Sequence, residues 1–486
     1  MPDLKVLIIN PPVRFDDKPR NLPHGLAILA NIIRNKMNIT PQFLDINAFR
    51  YSPERLSEIL KTSDFNVVLI GGIASAYRQI VELSRLVKEI VPQAMIIAGG
   101  YVVMPVPTLL LQNSAVDIVC TGEGELTIVE LLDRLSIQGF NADISDIAGV
   151  CYKPRTGAPF HCTGPRRLID DLDATSAMPA YDLLPMDVYL SNPVVGIGRD
   201  IDMVTIRGCP YQCSFCYQPW GRVPRSYSID TIAGTIHTLR REYRVDFISF
   251  QDDEFMVDET RVKEFCERRN RLFPEVLWSC TGRSNIIARN PDIVKLMKQS
   301  GCTLISCGFE SGSPRMLESM HKMQRIDQME ATVKILRAQE LPVPASFIIG
   351  MPGEDEASCQ ETLDFCLRNN LPLESLMFAT PYPGTEIFDF ALKTGRVDKD
   401  HIHEFMMELG DARKFVVNLT DSFSDEGLVA TRTEMMAIAR KNYEKFISQN
   451  EIMDKMKKLF GPLLERVRLD ETDLAHRAKH GGMSTF

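Results

Sequence analysis

Short, nearly unbroken apolar runs alternate with longer stretches of helical periodicity along most of this chain. In the first third, residues 6–10, 67–71, 95–99 and 117–121 read as buried strands, and 25–36, 53–60 and 77–91 as helices. Strands apolar on both faces and separated by helices predict a doubly wound parallel sheet, with a ligand at the carboxyl ends of its strands. Residues 150–200 are broken by prolines and acidic turns, which predicts an irregular connector. Alternation then resumes: 203–206, 246–250, 276–279, 303–308, 345–350 and 375–379 read as strands, and 229–243, 260–270, 291–300 and 329–339 as helices. Six such units are too few for a closed eight-fold barrel, so an open, partial barrel is expected. Residues 404–410, 432–448 and 451–469 read as helices, the last carrying Met456, Leu459, Phe460 and Leu463 on one side and Pro462 as a break. Such a stripe can meet a membrane surface or a lipid-like substrate, but it more often packs against its own protein. The last residues, through His480-Gly481-Gly482, read as disordered.

The predicted fold class is therefore α/β: a Rossmann-like doubly wound sheet over 1–150, a connector over 151–200, a partial (β/α)6 TIM-like barrel over 201–395 and a mostly helical region over 396–486. At 486 residues and 44% hydrophobic content the chain can bury more than one core. A net charge of −9 argues against nucleic acid as a partner, because phosphate contacts need a basic surface. Residues 1–10 read as a first strand rather than a signal peptide, and no apolar run approaches the ~20 residues that span a bilayer. Twelve cysteines in such a chain point to a reducing, cytoplasmic setting, where clusters survive and structural disulfides are rare.

Three of those cysteines carry chemistry. Cys209, Cys213 and Cys216 follow the apolar run at 203–206 directly and lie on one loop. Three thiolates suit a cubane cluster with one iron left open for a small ligand, whereas a structural zinc site would want a fourth ligand. A partial zinc site or buried thiols are the weaker alternatives. The other nine cysteines, including Cys266, Cys280, Cys302 and Cys307, read as small buried hydrophobes. Glycines end the strands of the first sheet, at Gly71-Gly72, Gly99-Gly100 and Gly122-Glu123-Gly124, where they let backbone approach a bulky ligand. No Gly-x-Gly-x-x-Gly follows the first strand, so a nicotinamide nucleotide is a poor fit. Tyr217, Trp220 and Trp278 stand near the expected mouth of the barrel and could line an apolar pocket, although such aromatics more often pack the barrel itself.

The stretch Cys209-Pro210-Tyr211-Gln212-Cys213-Ser214-Phe215-Cys216 resembles the cluster loop of the radical S-adenosylmethionine (SAM) enzymes. Residues 309–313 with 320–322, then 350–354, then 380–385 are similar, in the same order, to segments of the cobalamin-type members of that family. Residues 22–30, 44–48, 98–101 and 121–125 resemble landmarks of the cobalamin-binding domain that precedes many of their barrels. The resemblance covers roughly residues 4–395 and implies three cofactors. A [4Fe-4S] cluster would sit on Cys209, Cys213 and Cys216. SAM would contact Asp252, Asp253, Arg283, Glu310 and Ser311, where acidic groups suit an ammonium and a hydroxyl or guanidinium suits a carboxylate. Cobalamin would contact Gly71, Gly72, Ser75, Gly99, Gly100, Gly122 and Glu123. The Asp-x-His-x-x-Gly motif that supplies histidine to cobalt is absent, and His24 reads as a local hydrogen-bonding residue.

What the resemblance implies for function is a cobalamin-dependent methyltransferase acting on a weakly activated carbon of a small-molecule or lipid-like substrate. One SAM would methylate reduced cobalamin, and a second would give a 5′-deoxyadenosyl radical that removes a substrate hydrogen. A flavodoxin or ferredoxin would supply electrons. An oxidative cyclase or rearrangement enzyme with the same cofactors is the alternative, and a cobalamin or cluster sensor without turnover is a third reading.

Overall fold

The computed structural model describes residues 3–14, 17–154, 159–176, 178–195 and 198–450. Seven strands form the first sheet: β1 (Val6–Asn10), β2 (Gln42–Asp45), β3 (Val67–Gly71), β4 (Met95–Gly99), β5 (Ile118–Cys120), β6 (Val150–Tyr152) and β7 (His161–Cys162), in the order β2-β1-β3-β4-β5-β6-β7. The first five are parallel, and β6 and β7 run antiparallel at one edge. Every residue of β1 and β3 is buried, which is why these strands appear as continuous apolar runs. Alternate side chains feed opposite faces. Leu7, Ile9, Val68 and Ile70 pack with helix Tyr77–Ile90, while Val6, Ile8, Val67 and Leu69 pack with helices His24–Met37 and Gly124–Gln138. The strand order reverses between β1 and β3, which opens a crevice at their carboxyl ends.

Two expectations change here. The sheet runs on to residue 162, because β6 and β7 form a small hairpin where an irregular connector was expected. Cys151 and Cys162 face each other across that hairpin in register and form a disulfide, so these two cysteines are not small buried hydrophobes. The remaining seven, Cys120, Cys266, Cys280, Cys302, Cys307, Cys359 and Cys366, are free and buried as expected. The rest of the connector is less irregular than its prolines suggest, for it holds short helices at Leu172–Thr175 and Met186–Leu190. Its Tyr181, Leu184, Tyr189 and Leu190 are packed into the barrel core.

The second sheet contains β8 (Asp200–Met203), β11 (Phe247–Phe250), β12 (Leu277–Thr281), β13 (Cys302–Glu310), β14 (Ala345–Ile349) and β15 (Ser375–Phe378), all parallel, in the order β15-β14-β13-β12-β11-β8. It is an open half-barrel of six strands, as the pattern predicted. A two-stranded ladder, β9 (Ile206–Arg207) with β10 (Arg225–Ser226), lies between β8 and β11 in sequence. The first barrel strand starts three residues earlier than expected. Asp200 and Asp202 are fully buried in it, and each is partnered: Asp200 accepts from the Val195 amide (2.7 Å) and Ser249 Oγ (2.8 Å), and Asp202 from the Leu22 amide (3.1 Å). Buried carboxylates are tolerated only with such partners, and two of the three, Leu22 and Ser249, are distant in sequence.

Past β15 the chain returns to the first sheet. Helix Ile402–Glu408 lies on helix Tyr77–Ile90, with Tyr77 Oη 3.1 Å from His403 Nδ1 and Met406 and Leu409 in the same core. Helix Asp425–Asn450 packs Leu428, Met435 and Ala439 into the barrel core. The helix expected at 451–469 and the terminal residues lie outside the described residues. Among the described residues, no helix is long and apolar enough to cross a membrane.

Candidate active site

The carboxyl ends of both sheets meet around the cysteine loop. That loop leaves the β9–β10 ladder at Gly208, whose φ of +91° and surroundings admit only glycine. A Cβ there would lie 3.0 Å from the carbonyl oxygens of Gly221 and Val223. Backbone bonds shape the loop itself: Cys209 N donates to Gly221 O (3.3 Å), Cys216 N to Cys213 O (3.1 Å) and Ser214 N to Met320 O (3.0 Å). Cys209 is buried, while Cys213 and Cys216 are half-buried. Burial raises the Cys209 thiol and pushes Cys216 up to about 11, so lone thiolates are disfavoured here unless a cation takes their charge. Among the described residues no three such side chains converge on one point as single-ion ligands. A cubane does not need that, since each thiolate holds a different iron.

The polar residues at the barrel strand ends divide into those that face the cleft and those that are already committed. Asp253 is accessible to solvent. Burial and then the neighbouring Asp252 raise its carboxyl, with the Gly208 amide opposing. Asp252 points the other way: it is buried and accepts from Thr205 N, Thr205 Oγ1 (2.6 Å) and Ile206 N (2.8 Å), which pins the start of the cysteine loop. Glu254, also buried, is pushed up to about 7. At the end of β13, Glu310 holds a strained φ of +64° and pairs with Lys322 (2.7 Å). Ser311 bonds to Thr362 Oγ1 (3.1 Å) and the Ser313 amide (3.1 Å). Arg283 is buried against the ring of Tyr211, 3.7 Å from its centroid, donates to Lys322 O, and sets Nη1 3.5 Å from Cys213 Sγ.

On the first sheet the glycines allow close approach of backbone to backbone. A Cβ on Gly71 would lie 2.9 Å from Gly99 O, and one on Gly100, at φ +89°, 2.9 Å from Gly72 O. These pairs let two strand ends approach each other. Only Gly122 has open space where a Cβ would stand. Ser75, in the turn after β3, has a buried hydroxyl without a hydrogen-bond partner, as does Gln79 Oε1 one turn on. Glu123 does not face a ligand. Its buried carboxylate accepts from Ile169 N (2.6 Å), Arg207 Nη1 (2.8 Å) and Arg225 Nη1 (2.9 Å), tying this sheet to the ladder at the base of the cysteine loop. Burial alone would raise Glu123, but Arg225, the Ile169 amide and Arg207 hold it below the usual carboxylate range. His24 Nε2 lies 3.1 Å from Asp202 in β8, so its polar contact reaches the barrel and is not the local one expected.

Aromatic side chains close the junction. Tyr101, next after Gly100, meets Trp220 edge-on (centroids 5.3 Å) and Tyr217 (6.3 Å) from the cysteine loop. Its phenol is raised by burial and then by the charge of Asp253. A Cβ on Gly384 would strike the Tyr217 ring. Trp278 is elsewhere: it is fully buried in the barrel wall among Phe250, Phe255 and Phe265, with its N–H on Ser300 O (2.7 Å). Tyr101 falls in the 98–101 landmark of the sequence reading but was not singled out as a site residue, although its place directly after a strand-end glycine pair was the available signal.

Comparison with known proteins shows the family to which the chain belongs. Residues 203–366 match the radical SAM superfamily model, and residues 19–132 match the B12 binding domain. An uncharacterised methyltransferase, PH0819, of Pyrococcus horikoshii is 30% identical over 80% of this chain and 83% of its own length. The chain belongs to the cobalamin-dependent radical SAM enzymes. The anaerobic magnesium-protoporphyrin IX monomethyl ester cyclase of Rubrivivax gelatinosus is 24% identical over 75% of this chain, which spans 65% of that cyclase. Two solved structures share the fold. The cobalamin-dependent radical enzyme OxsB with aqua-cobalamin has a TM-score of 0.66 and 17% identity over 82% of this chain and 56% of its own. The radical SAM methyltransferase TsrM of Kitasatospora setae, with tryptophan and a SAM analogue, has a TM-score of 0.66 and 16% identity over 81% of this chain and 77% of its own.

The cofactors of this radical SAM enzyme are a [4Fe-4S] cluster, SAM and cobalamin. Its side chains fit them. The raised thiols of the cysteine loop want a cation, Asp253 offers an accessible carboxylate beside them, and the orphaned Ser75 hydroxyl with the open space at Gly122 leaves unmet contacts at the first sheet's strand ends.

Proposed function

We propose that this enzyme is a C-methyltransferase that modifies a weakly activated carbon of a small-molecule or lipid-like substrate. The observation that carries this reading is the junction itself. Tyr101, next after the end of β4, stands against Tyr217 and Trp220 of the cysteine loop, with Asp253 and Cys216 close enough to act on it, so the strand ends of the first sheet meet the loop that carries the three cysteines. The similarity to the archaeal methyltransferase over most of both chains supports it.

When bound, the cluster supplies reductive cleavage of SAM and cobalamin supplies a methyl carrier. The chain's own residues divide the remaining work. Cys209, Cys213 and Cys216 hold the cluster, and Asp253 receives the SAM ammonium or ribose hydroxyls. Asp252 positions the loop through Thr205 and Ile206, while the Glu310–Lys322 pair and Ser311 shape the far wall. Ser75, with the strand-end backbone at Gly72, Gly100 and Gly122, meets cobalamin. Tyr101, Tyr217 and Trp220 would wall the space between from bulk solvent. Electrons come from an external flavodoxin or ferredoxin.

Anaerobic protein reconstituted with iron, sulfide and cobalamin, then given SAM, reductant and candidate substrates, tests this reading. Matched release of 5′-deoxyadenosine, S-adenosylhomocysteine and a methylated product supports it. Turnover of substrate with 5′-deoxyadenosine but no S-adenosylhomocysteine refutes methyl transfer. That result would favour the second reading, an oxidative cyclase or rearrangement enzyme, for which the likeness to the magnesium-protoporphyrin cyclase speaks.

A further inference from the structure

We propose that Gln218 and Arg283 set the reduction potential of the cluster by donating hydrogen bonds to two of its three ligand sulfurs. The inference rests on the reading of Cys209, Cys213 and Cys216 as those ligands. Gln218 Nε2 lies 3.0 Å from Cys216 Sγ, and Arg283 Nη1 lies 3.5 Å from Cys213 Sγ. Neither contact is needed to complete the loop, which its own backbone bonds to Gly221, Met320 and Cys213 already shape.

Arg283 is held where it stands. Its Nη2 donates to Lys322 O, its Nε to Asn285 Oδ1 (3.4 Å), and its plane lies over Tyr211, whose hydroxyl accepts from Asn285 Nδ2 (3.1 Å). The guanidinium is buried and permanently charged, so it acts on Cys213 at short range with little screening. Reducing the cluster adds one negative charge, and hydrogen bonds to the sulfurs are among the features that set cluster potentials. A cationic donor at one ligand and an amide donor at a second stabilise the reduced form and raise the potential.

The test uses full-length protein reconstituted with iron and sulfide, poised at a series of potentials, with the reduced cluster measured by its electron paramagnetic resonance signal. Q218L and R283M should each lower the reduced-to-oxidised ratio at the wild-type midpoint by at least threefold. Their combination should approach tenfold, which is 59 mV for one electron. R283K, which keeps charge but not the planar fork, should fall between R283M and wild type. A merely structural role would reduce iron content and leave the midpoint of the remaining clusters unchanged. Unchanged midpoints overturn the proposal while leaving the cluster assignment intact, and if R283M does not assemble a cluster, Q218L decides alone. A full cluster in the C213A protein would instead overturn the ligand assignment beneath it.

Discussion

Replacing Glu123 with alanine asks how much the two sheets depend on one buried carboxylate. Glu123 and Glu125 face Arg207 and Arg225 in a balanced group of two charges of each sign, and none of the four side chains is more than 12% exposed. The Glu123 side chain accepts from the Ile169 amide and both guanidiniums. Its removal leaves Arg207 with Glu125, but Arg225 only with the carbonyls of Ile169 and Trp220. Breaking a buried pair by removing one partner costs about 3–5 kcal/mol, because the other charge stays buried and unmatched. E123A should therefore lose about that much stability, seen in anaerobic urea denaturation as an earlier first transition. R225A should lose a similar amount, and E123A/R225A should lose less than the sum, with a coupling of roughly 0.5–3 kcal/mol. Additive losses, or a loss below about 1 kcal/mol in E123A, would refute the claim that this carboxylate ties the sheets together.

Three other outcomes follow from the geometry. Asp200 is pushed up to about 7, first by burial, so the folded state keeps its proton where the unfolded chain has lost it. Its stability contribution is present below pH ~4 and is lost as pH rises to about 7, by up to about 4 kcal/mol. D200N should flatten that slope and be more stable than wild type at pH 8, and an unchanged slope in urea melts at pH 5 and 8 would contradict the assignment. G208A should assemble far less cluster, read as iron per chain after reconstitution, because the added methyl meets two carbonyl oxygens at 3.0 Å. Wild-type iron content would show that the loop can move aside. W278F should cost about 1–3 kcal/mol in denaturation by leaving Ser300 O unpaired in the barrel wall, with the midpoint potential of the cluster unaffected.

Much of the architecture was legible because buried parallel strands are apolar on both faces, so β1, β3, β4 and the strands of the half-barrel stand out as runs. The exceptions have physical causes. β8 was misplaced because Asp200 and Asp202 look unlike buried strand residues until their partners, from residues 22, 195 and 249, are in place. β6 and β7 are two or three residues long, and a count of cysteines says nothing of which two face each other. At the site, the pattern located strand ends but not the direction each side chain takes from them. Asp252 and Asp253 are adjacent, yet one braces the loop and the other faces the cleft. Glu123 stands among the strand-end glycines of the first sheet, yet it reaches the β9–β10 ladder.

The return of the chain to its first sheet has a consequence for how the protein is made. Helix Tyr77–Ile90 is covered in part by Met406 and Leu409, and Arg14 pairs with Asp411 (2.6 Å). A ribosome adding about 5–20 residues per second needs roughly 15–65 s to travel the intervening ~320 residues. During that interval the part of helix Tyr77–Ile90 that Met406 and Leu409 later cover is bare. The nascent half-protein is therefore the state most exposed to aggregation, and chaperone supply, more than the strength of the finished contacts, would govern the yield of this enzyme in a foreign host.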